Sequence, residues 1–332
     1  MACCLFRLDV LTSWGESRST KGQTKSDRVE KTARERSRLL KWIDYSSPNT
    51  VAEAVELLTE RGDRARPLAG GTDIIVQLRV GAHDPDYVVD IKKIPELNEL
   101  SHDASGLTIG AAVPCYKIYA DEHVSSAYPA IVDSATIIGG TQIQGRASLG
   151  GNLCNAVPSA DSIPTMIALG ATANITGPNG SRSVPIEDFC TGVRTNVLGT
   201  GELLVSIHFP EPAANSGARY QRFIPRNEMD IAVVGVGASV TLNNGSFESV
   251  RVSLASVAPT PLFVTEINDA LAGEEVNAEN IAKAGELAKA ASRPITDMRG
   301  TIEYRKHLCN VMTQRVLNDA VTRARGGTIN AH

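Results

Sequence analysis

Two short stretches combine bare backbone with polar side chains in a way that chemistry can use: "PLAGGTD", Pro67 to Asp73, and "ASLGGNLCNAVPSAD", Ala147 to Asp161. Each sets adjacent glycines, Gly70–Gly71 and Gly150–Gly151, among small residues. A loop stripped of side chains lets several backbone N–H groups converge on an anion, and phosphate suits such loops. A surface turn uses the same residue types, because Gly and Asn adopt backbone angles that others resist. A pyrophosphate needs more than one set of donors, so two Gly-Gly loops on neighbouring elements make a sensible pair. Thr72 adds a hydroxyl donor and Asn152 an amide. Asp161, as an anion, would repel phosphates; it can accept hydrogen bonds from a ribose or orient the loop.

Other chemistries find less support. The one G-x-G candidate, Gly235 and Gly237 in "VVGVGASV", has Val240 where a third glycine belongs and no helix after it, so it reads as a strand whose small residues face a close neighbour. Cys3, Cys4, Cys115, Cys154, Cys190 and Cys309 show no C-x-x-C spacing and no cluster with histidine. His102, His123, His208 and His307 lie in four different segments, which argues against an acid–base or metal centre.

The elements that must position the loops are regular from Lys41 onward. "KWIDYSSP" reads as a short strand, and Thr50 with Glu53 forms a T-x-x-E helix start that Gly62 closes. Val51, Ala54, Val55 and Leu58 recur on one face of that helix. "ARPLAG" is a strand running into the first glycine loop, "DIIVQLRVG" a helix and "DYVVDIKKI" a strand, an order that builds an α/β layer. "GLTIGAAV" and "GATANITG" flank a helical middle containing "YPAIVDSATII" and "SIPTMIALG", and "GELLVSIHFPEP" is a strand closed by prolines. After a linker "AANSG", the stretches "ARYQRFIP", "IAVVGVGASVTL" and "SVRVSLASVA" predict an antiparallel meander, and helices follow from about Thr265 to Arg325. Leu308, Val311, Met312 and Val316 share a face of the last.

The chain has 332 residues, 42% hydrophobic and 21% charged, the composition of an ordinary globular protein. Its net charge of −4 is uneven: residues 1–39 carry +4 and residues 40–332 carry −8. An acidic body argues against nucleic-acid binding, and no apolar run is long enough to span a bilayer. Residues 1–39 are polar and aperiodic and are expected to be a disordered extension, the ordered pattern starting near Leu39 or Leu40. Scattered thiols suit a reducing cytoplasm.

"PLAGGTDIIVQLR", "ASLGGNLCNAVPSADSIP", "RNEMDIAVVGVGA", "SVAPTP" and "DMRGTIEYRKHL", in that order, resemble the FAD-binding (medium) subunit of the molybdenum hydroxylases, over about Leu40 to Leu317. The resemblance implies an α+β fold. Residues 40–213 would form a vanillyl-alcohol-oxidase-type FAD-binding domain of two α/β subdomains, about 40–95 and 96–213. Residues 218–325 would form a carboxy-terminal antiparallel sheet with helices. It implies FAD contacts at Leu68, Ala69, Gly70, Gly71, Thr72, Asp73 and Ile74, and at Ser148, Leu149, Gly150, Gly151, Asn152 and Asp161. Arg222 is expected near the flavin and Leu204 in its wall, with Leu203 adjacent; Ile138 occupies a position that is aromatic in some relatives. With only Cys154 after Gly151, no extra iron–sulfur loop is expected, and His83 and Cys154 are not expected to attach the flavin covalently. The resemblance further implies an oxidoreductase heterotrimer. A large subunit would hold the molybdenum cofactor and a small one two [2Fe–2S] clusters, with electrons leaving FAD for NAD, oxygen or another acceptor. A self-contained flavin oxidoreductase of the same fold, and a partner protein that has lost FAD, are the alternatives.

Overall fold

The computed structural model describes residues 42–330. The expected extension 1–39, the start near Leu39, and Cys3 and Cys4 lie outside them. β1 (Asp44–Ser46), β2 (Ala65–Leu68) and β3 (Tyr87–Asp90) form a parallel sheet in the order β1-β3-β2, crossed by α1 (Val51–Arg61) and α2 (Ile74–Val80). Thr50 Oγ1 accepts from the Glu53 N–H at 3.2 Å, and the Glu53 carboxylate accepts from the Asn49 N–H at 2.8 Å. Ala54, Val55 and Leu58 are buried against this sheet, with Val51 partly so. The strand in "DYVVDIKKI" stops earlier than its sequence suggests. Asp90 Oδ1 takes the Lys92 N–H at 3.0 Å and its ammonium at 2.7 Å, turning Ile91–Lys93 into a 3-10 turn.

β4 (Leu100–Asp103) and β5 (Gly106–Gly110) lead into a run of short helices. These are α3 (Cys115–Ala120), α4 (Glu122–Ala127), α5 (Pro129–Ala135), α6 (Thr141–Gln144), α7 (Leu149–Asn155) and α8 (Ser162–Ala168). The chain returns through β6 (Thr172–Gly177), β7 (Gly180–Pro185), the small ladder of β8 (Cys190–Gly192) and β9 (Thr195–Asn196), and β10 (Leu203–Pro210). β4, β5, β10, β6 and β7 make an antiparallel five-stranded sheet in that order. Phe189 and Phe209 are fully buried in its core, each burial stabilising by roughly 1.5–3 kcal/mol. β10 serves two cores, because alternate residues of a strand face opposite ways: Leu203 packs with α1 and Leu204 with the helices on the five-stranded sheet.

The meander is present as β11 (Ser216–Phe223), β12 (Val234–Asn243) and β13 (Ser246–Ala255), with β14 (Leu262–Phe263) on its edge. α9 (Thr265–Leu271), α10 (Ala278–Ala291) and α11 (Ile302–Ala324) follow. The stretch read as a linker contributes Ser216 and Gly217 to β11. Gly217 is bare because a Cβ there would lie 2.3 Å from the Ala320 carbonyl of α11. On β12, a Cβ on Gly237 would lie 2.6 Å from the Pro164 backbone of α8, so the small residues of "VVGVGASV" do face a close neighbour. Leu308, Met312 and Val316 are buried in this core, and Val311 is half-buried.

One buried node ties the carboxy-terminal sheet to the helices before it. Asp133 on α5 is fully buried and accepts from Arg219 and Arg323, each at 2.6 Å, and from the Tyr220 N–H at 3.2 Å. Among the described residues no helix is long and apolar enough to cross a membrane.

Candidate functional site

A cavity of about 510 Å³ opens where the parallel layer meets the helices of the antiparallel one. Both glycine loops wall it. Ala69 to Ile74 line one side, and Ser148, Gly150, Gly151 and Asn152 another, with Ile138, Leu203 and Leu204 supplying apolar surface. Leu68, Leu149, Asp161 and Arg222 do not line it; Leu149 is 1% exposed and belongs to the core.

The glycines divide into two groups by what keeps them bare. A Cβ on Gly70 would lie 1.9 Å from the Arg146 carbonyl oxygen, and one on Gly150 would lie 2.5 Å from that of Ala111. These two are bare because the chain's own backbone passes there. Gly71 has φ +81, which favours glycine for conformation. Gly151 meets only Ser148 Oγ, at 3.1 Å, so its surface is the open one. Arg146 staples the loops together: its backbone presses on Gly70, and its Nε donates to the Gly70 carbonyl at 3.0 Å.

Helix geometry gives the loops their donors. The starts of α2 and α7 carry the positive end of each helix, although in α2 the Ile75 N–H already donates to the Gly71 carbonyl at 3.2 Å. Ser148 Oγ takes the Gly151 N–H at 3.0 Å, fixing the start of α7. Ala156, at φ 46, ends that helix abruptly, and Gln77 Nε2 of α2 donates to Asn155 Oδ1 at 2.8 Å. Asn152 Oδ1 accepts from Ser162 twice, from Oγ at 2.6 Å and from N at 3.3 Å. Because a backbone N–H can only donate, the amide oxygen is committed there and the N–H₂ group is what Asn152 has left to offer.

Asp161 and Arg222 meet each other. Arg222 Nη1 donates to Asp161 Oδ2 at 2.6 Å and Tyr220 Oη donates to Oδ1 at 2.8 Å. Burial pushes the Asp161 carboxyl up to about 6, against the pull of Arg222 and Tyr220. The Arg222 charge is therefore matched within the protein.

Apart from His83, the third wall has no counterpart in the sequence reading. Arg66, Gln77, His83, Asn155, Arg194 and Asn196 all line the cavity. Asn196 Nδ2 donates to the Cys154 carbonyl at 2.8 Å and the Arg194 N–H to the Ala156 carbonyl at 2.9 Å, so the β8–β9 ladder is anchored to the end of α7. Only the turn composition of "TGVRTN", with Arg194 at φ 58, hints at it. Asp73 is exposed by its own surface, yet the wall packed around it raises its carboxyl, with Arg194 pulling it back. Burial lowers His83, and the charges of Arg66 and Arg194 lower it further. Cys154 lines the cavity as a thiol whose pKa burial pushes up to about 12. Elsewhere, His102 and His123 stack with ring centroids 3.8 Å apart.

Two converging sets of backbone donors, hydroxyl and amide donors beside them and an apolar stretch of wall fit a molecule with a pyrophosphate and a flat ring. A parallel α/β layer and an antiparallel layer with that cavity between them suit a protein that binds a dinucleotide cofactor. Comparison with known proteins gives the family. Residues 40–212 match the FAD binding domain in molybdopterin dehydrogenase, and residues 219–320 match the CO dehydrogenase flavoprotein C-terminal domain. The carbon monoxide dehydrogenase medium chain of Afipia carboxidovorans is 32% identical over 283 residues, covering 85% of this chain and 98% of the relative. The xanthine dehydrogenase FAD-binding subunit of Escherichia coli is 33% identical over 288 residues, covering 86% and 98%. Among solved structures, reconstituted CO dehydrogenase from Oligotropha carboxidovorans superposes with a TM-score of 0.82 at 32% identity, covering 85% of this chain and 98% of that one. Quinoline 2-oxidoreductase from Pseudomonas putida gives 0.79 at 29%, with the same coverage. The chain belongs to the FAD-binding subunits of the molybdenum hydroxylases, a family of oxidoreductases.

Proposed function

We propose that this chain holds FAD non-covalently in the cavity and serves as the electron-transfer subunit of a cytoplasmic heterotrimer. The observation that carries this reading is the convergence of both glycine loops on one cavity of about 510 Å³, within the size range of small-molecule sites. A large partner subunit holds the molybdenum cofactor and a small one the [2Fe–2S] clusters, with NAD, oxygen or another acceptor downstream. When bound, the flavin supplies the redox chemistry.

This chain's residues do the holding. The loops from Leu68 to Ile74 and from Ser148 to Asn152 take the pyrophosphate, through backbone N–H groups, the Thr72 hydroxyl and the Asn152 amide. Ile138 and Leu204 exclude water from the ring end. Asp161 and Arg222 brace the wall as one neutral pair. Asp73, at the mouth, accepts from ribose hydroxyls. Cys154, kept as a thiol rather than the nucleophilic thiolate, supports non-covalent binding. We assign residues 40–213 and 218–325 as the two domains that do this.

The test is the visible spectrum of the chain purified with its co-expressed partners, followed by acid precipitation. Flavin bands at one FAD per chain that leave with the supernatant are expected. Bands retained in the pellet, or a complex without flavin, overturn the reading.

A further inference from the structure

The carboxy-terminal sheet reaches the glycine loop through a buried line of hydrogen bonds. Tyr220 and Arg222 are two residues apart on β11, so their side chains share a face. Each supplies one oxygen of Asp161 with its donor, Tyr220 Oη at 2.8 Å and Arg222 Nη1 at 2.6 Å. Asp161 immediately precedes α8, and the next residue, Ser162, holds the Asn152 amide oxygen through its hydroxyl at 2.6 Å. Asn152 lines the cavity.

The neighbouring strand is shaped around the tyrosine hydroxyl. Gly235 pairs with Arg222 across β11 and β12, and a Cβ on Gly235 would lie 2.5 Å from Tyr220 Oη. A Cβ there would also lie 3.3 Å from Tyr220 Cζ and 3.3 Å from Ala255 Cβ, contacts that shifts of a few tenths of an ångström relieve; the 2.5 Å approach to the hydroxyl is not relieved so. What Gly235 protects is the hydroxyl.

We propose that Tyr220 is a positioning residue of the cofactor site: its hydroxyl fixes Asp161 and, through Ser162, aims the donor amide of Asn152. This rests on the reading of the cavity as an FAD site. Arg222 balances the charge of Asp161, and Tyr220 gives the carboxylate its direction. The carboxy-terminal domain thereby sets cofactor affinity without lining the cavity.

The experiment titrates FAD into the full chain, with flavin fluorescence as readout, for five variants: three single and two double. Tyr220→Phe keeps the ring and removes only the hydroxyl; Gly235→Ala keeps the hydroxyl and displaces it. Each is expected to weaken FAD binding about tenfold, which is about 1.4 kcal/mol, the size of one hydrogen bond to a charged group. Adding Gly235→Ala to Tyr220→Phe is expected to cost nothing more, a rescue that simple loss of packing does not produce. Ser162→Ala combined with Tyr220→Phe is expected to fall short of the sum of the two single losses. Wild-type affinity in Tyr220→Phe, or full additivity in either pair, overturns the proposal while wild-type FAD binding stands. A wild-type chain that takes up no FAD, even with its partners, removes the cofactor reading and this proposal with it.

Discussion

Replacing Gly70 by alanine separates what the glycine loops do for the fold from what they do for a ligand. The added methyl would sit 1.9 Å from the Arg146 carbonyl oxygen and 2.6 Å from its carbon, where unstrained carbon contacts begin near about 3.5 Å. Relief requires a shift on the order of 1.5 Å between the two loops. Such overpacking costs about 1–3 kcal/mol. The same shift breaks the 3.0 Å bond from Arg146 Nε to the Gly70 carbonyl, worth about 1 kcal/mol. The total, about 2–4 kcal/mol, lowers the melting temperature by roughly 5–15 °C for a domain of this size. The control is Gly151→Ala, whose methyl meets only Ser148 Oγ, at 3.1 Å. Alanine is the better helix former by up to about 1 kcal/mol, so this variant holds its melting temperature while its methyl obstructs the open surface for FAD. Differential scanning calorimetry without ligand and an FAD titration read the two effects apart. A Gly70→Ala chain that melts within roughly 1 °C of wild type refutes the claim that the Arg146 backbone is what keeps this position bare.

Four further outcomes follow from the ion pairs, the buried carboxyl and the thiols. Asp133→Ala strands Arg219 and Arg323 without their counter-charge and is expected to cost about 3–5 kcal/mol, read as a lower urea midpoint with the slope unchanged. The Arg182 guanidinium holds Glu202 below the ordinary carboxylate range. Burial pushes Asp297 up, but the Arg299 N–H and the Arg305 guanidinium outweigh it and leave Asp297 lowered. Depressed carboxylates stabilise above the unfolded pKa near about 4 and lose that contribution as pH falls through the folded value. Thermal stability therefore drops below about pH 4, and Arg182→Met flattens the drop. Asp161, raised to about 6, has the opposite sign: its contribution declines as pH rises from about 4 to 6, and Asp161→Asn removes that slope. Burial raises Cys115 and Cys154 to about 12 and Cys190 and Cys309 to about 11. With Cys3 and Cys4 replaced by serine, a thiol reagent at about pH 8 is expected to label the native chain far more slowly than the urea-unfolded one.

How much of this was legible in the sequence depends on how local each feature is. The helix over Val51–Arg61 carries its own cap and apolar stripe, and the small residues of β12 announce a close neighbour. The stop after Asp90 depends on a side chain competing for a backbone N–H two residues on, which periodicity does not register. In the site, both glycine loops are visible as strings, but the reason for two of the glycines is not. Gly70 is bare because of Arg146, and Gly150 because of Ala111, contacts 76 and 39 residues away that arise only on folding. The pairing of Asp161 with Arg222, 61 residues apart, is of the same kind. Arg66, His83 and Arg194 come from three separate segments and meet only on folding; Arg194 reaches the cavity because Asn196 anchors the β8–β9 ladder to α7.

β10 turns Leu203 into one core and Leu204 into another, and both leucines line the cavity. The cavity is thus a joint between two bodies rather than a hole in one. A molecule seated across it works as mortar: whatever free energy it contributes to binding is also free energy that closes the joint. Cofactor affinity then becomes a gauge of how firmly the two bodies are clasped, and a mutation deep in either core registers first as a loosened grip on the flavin.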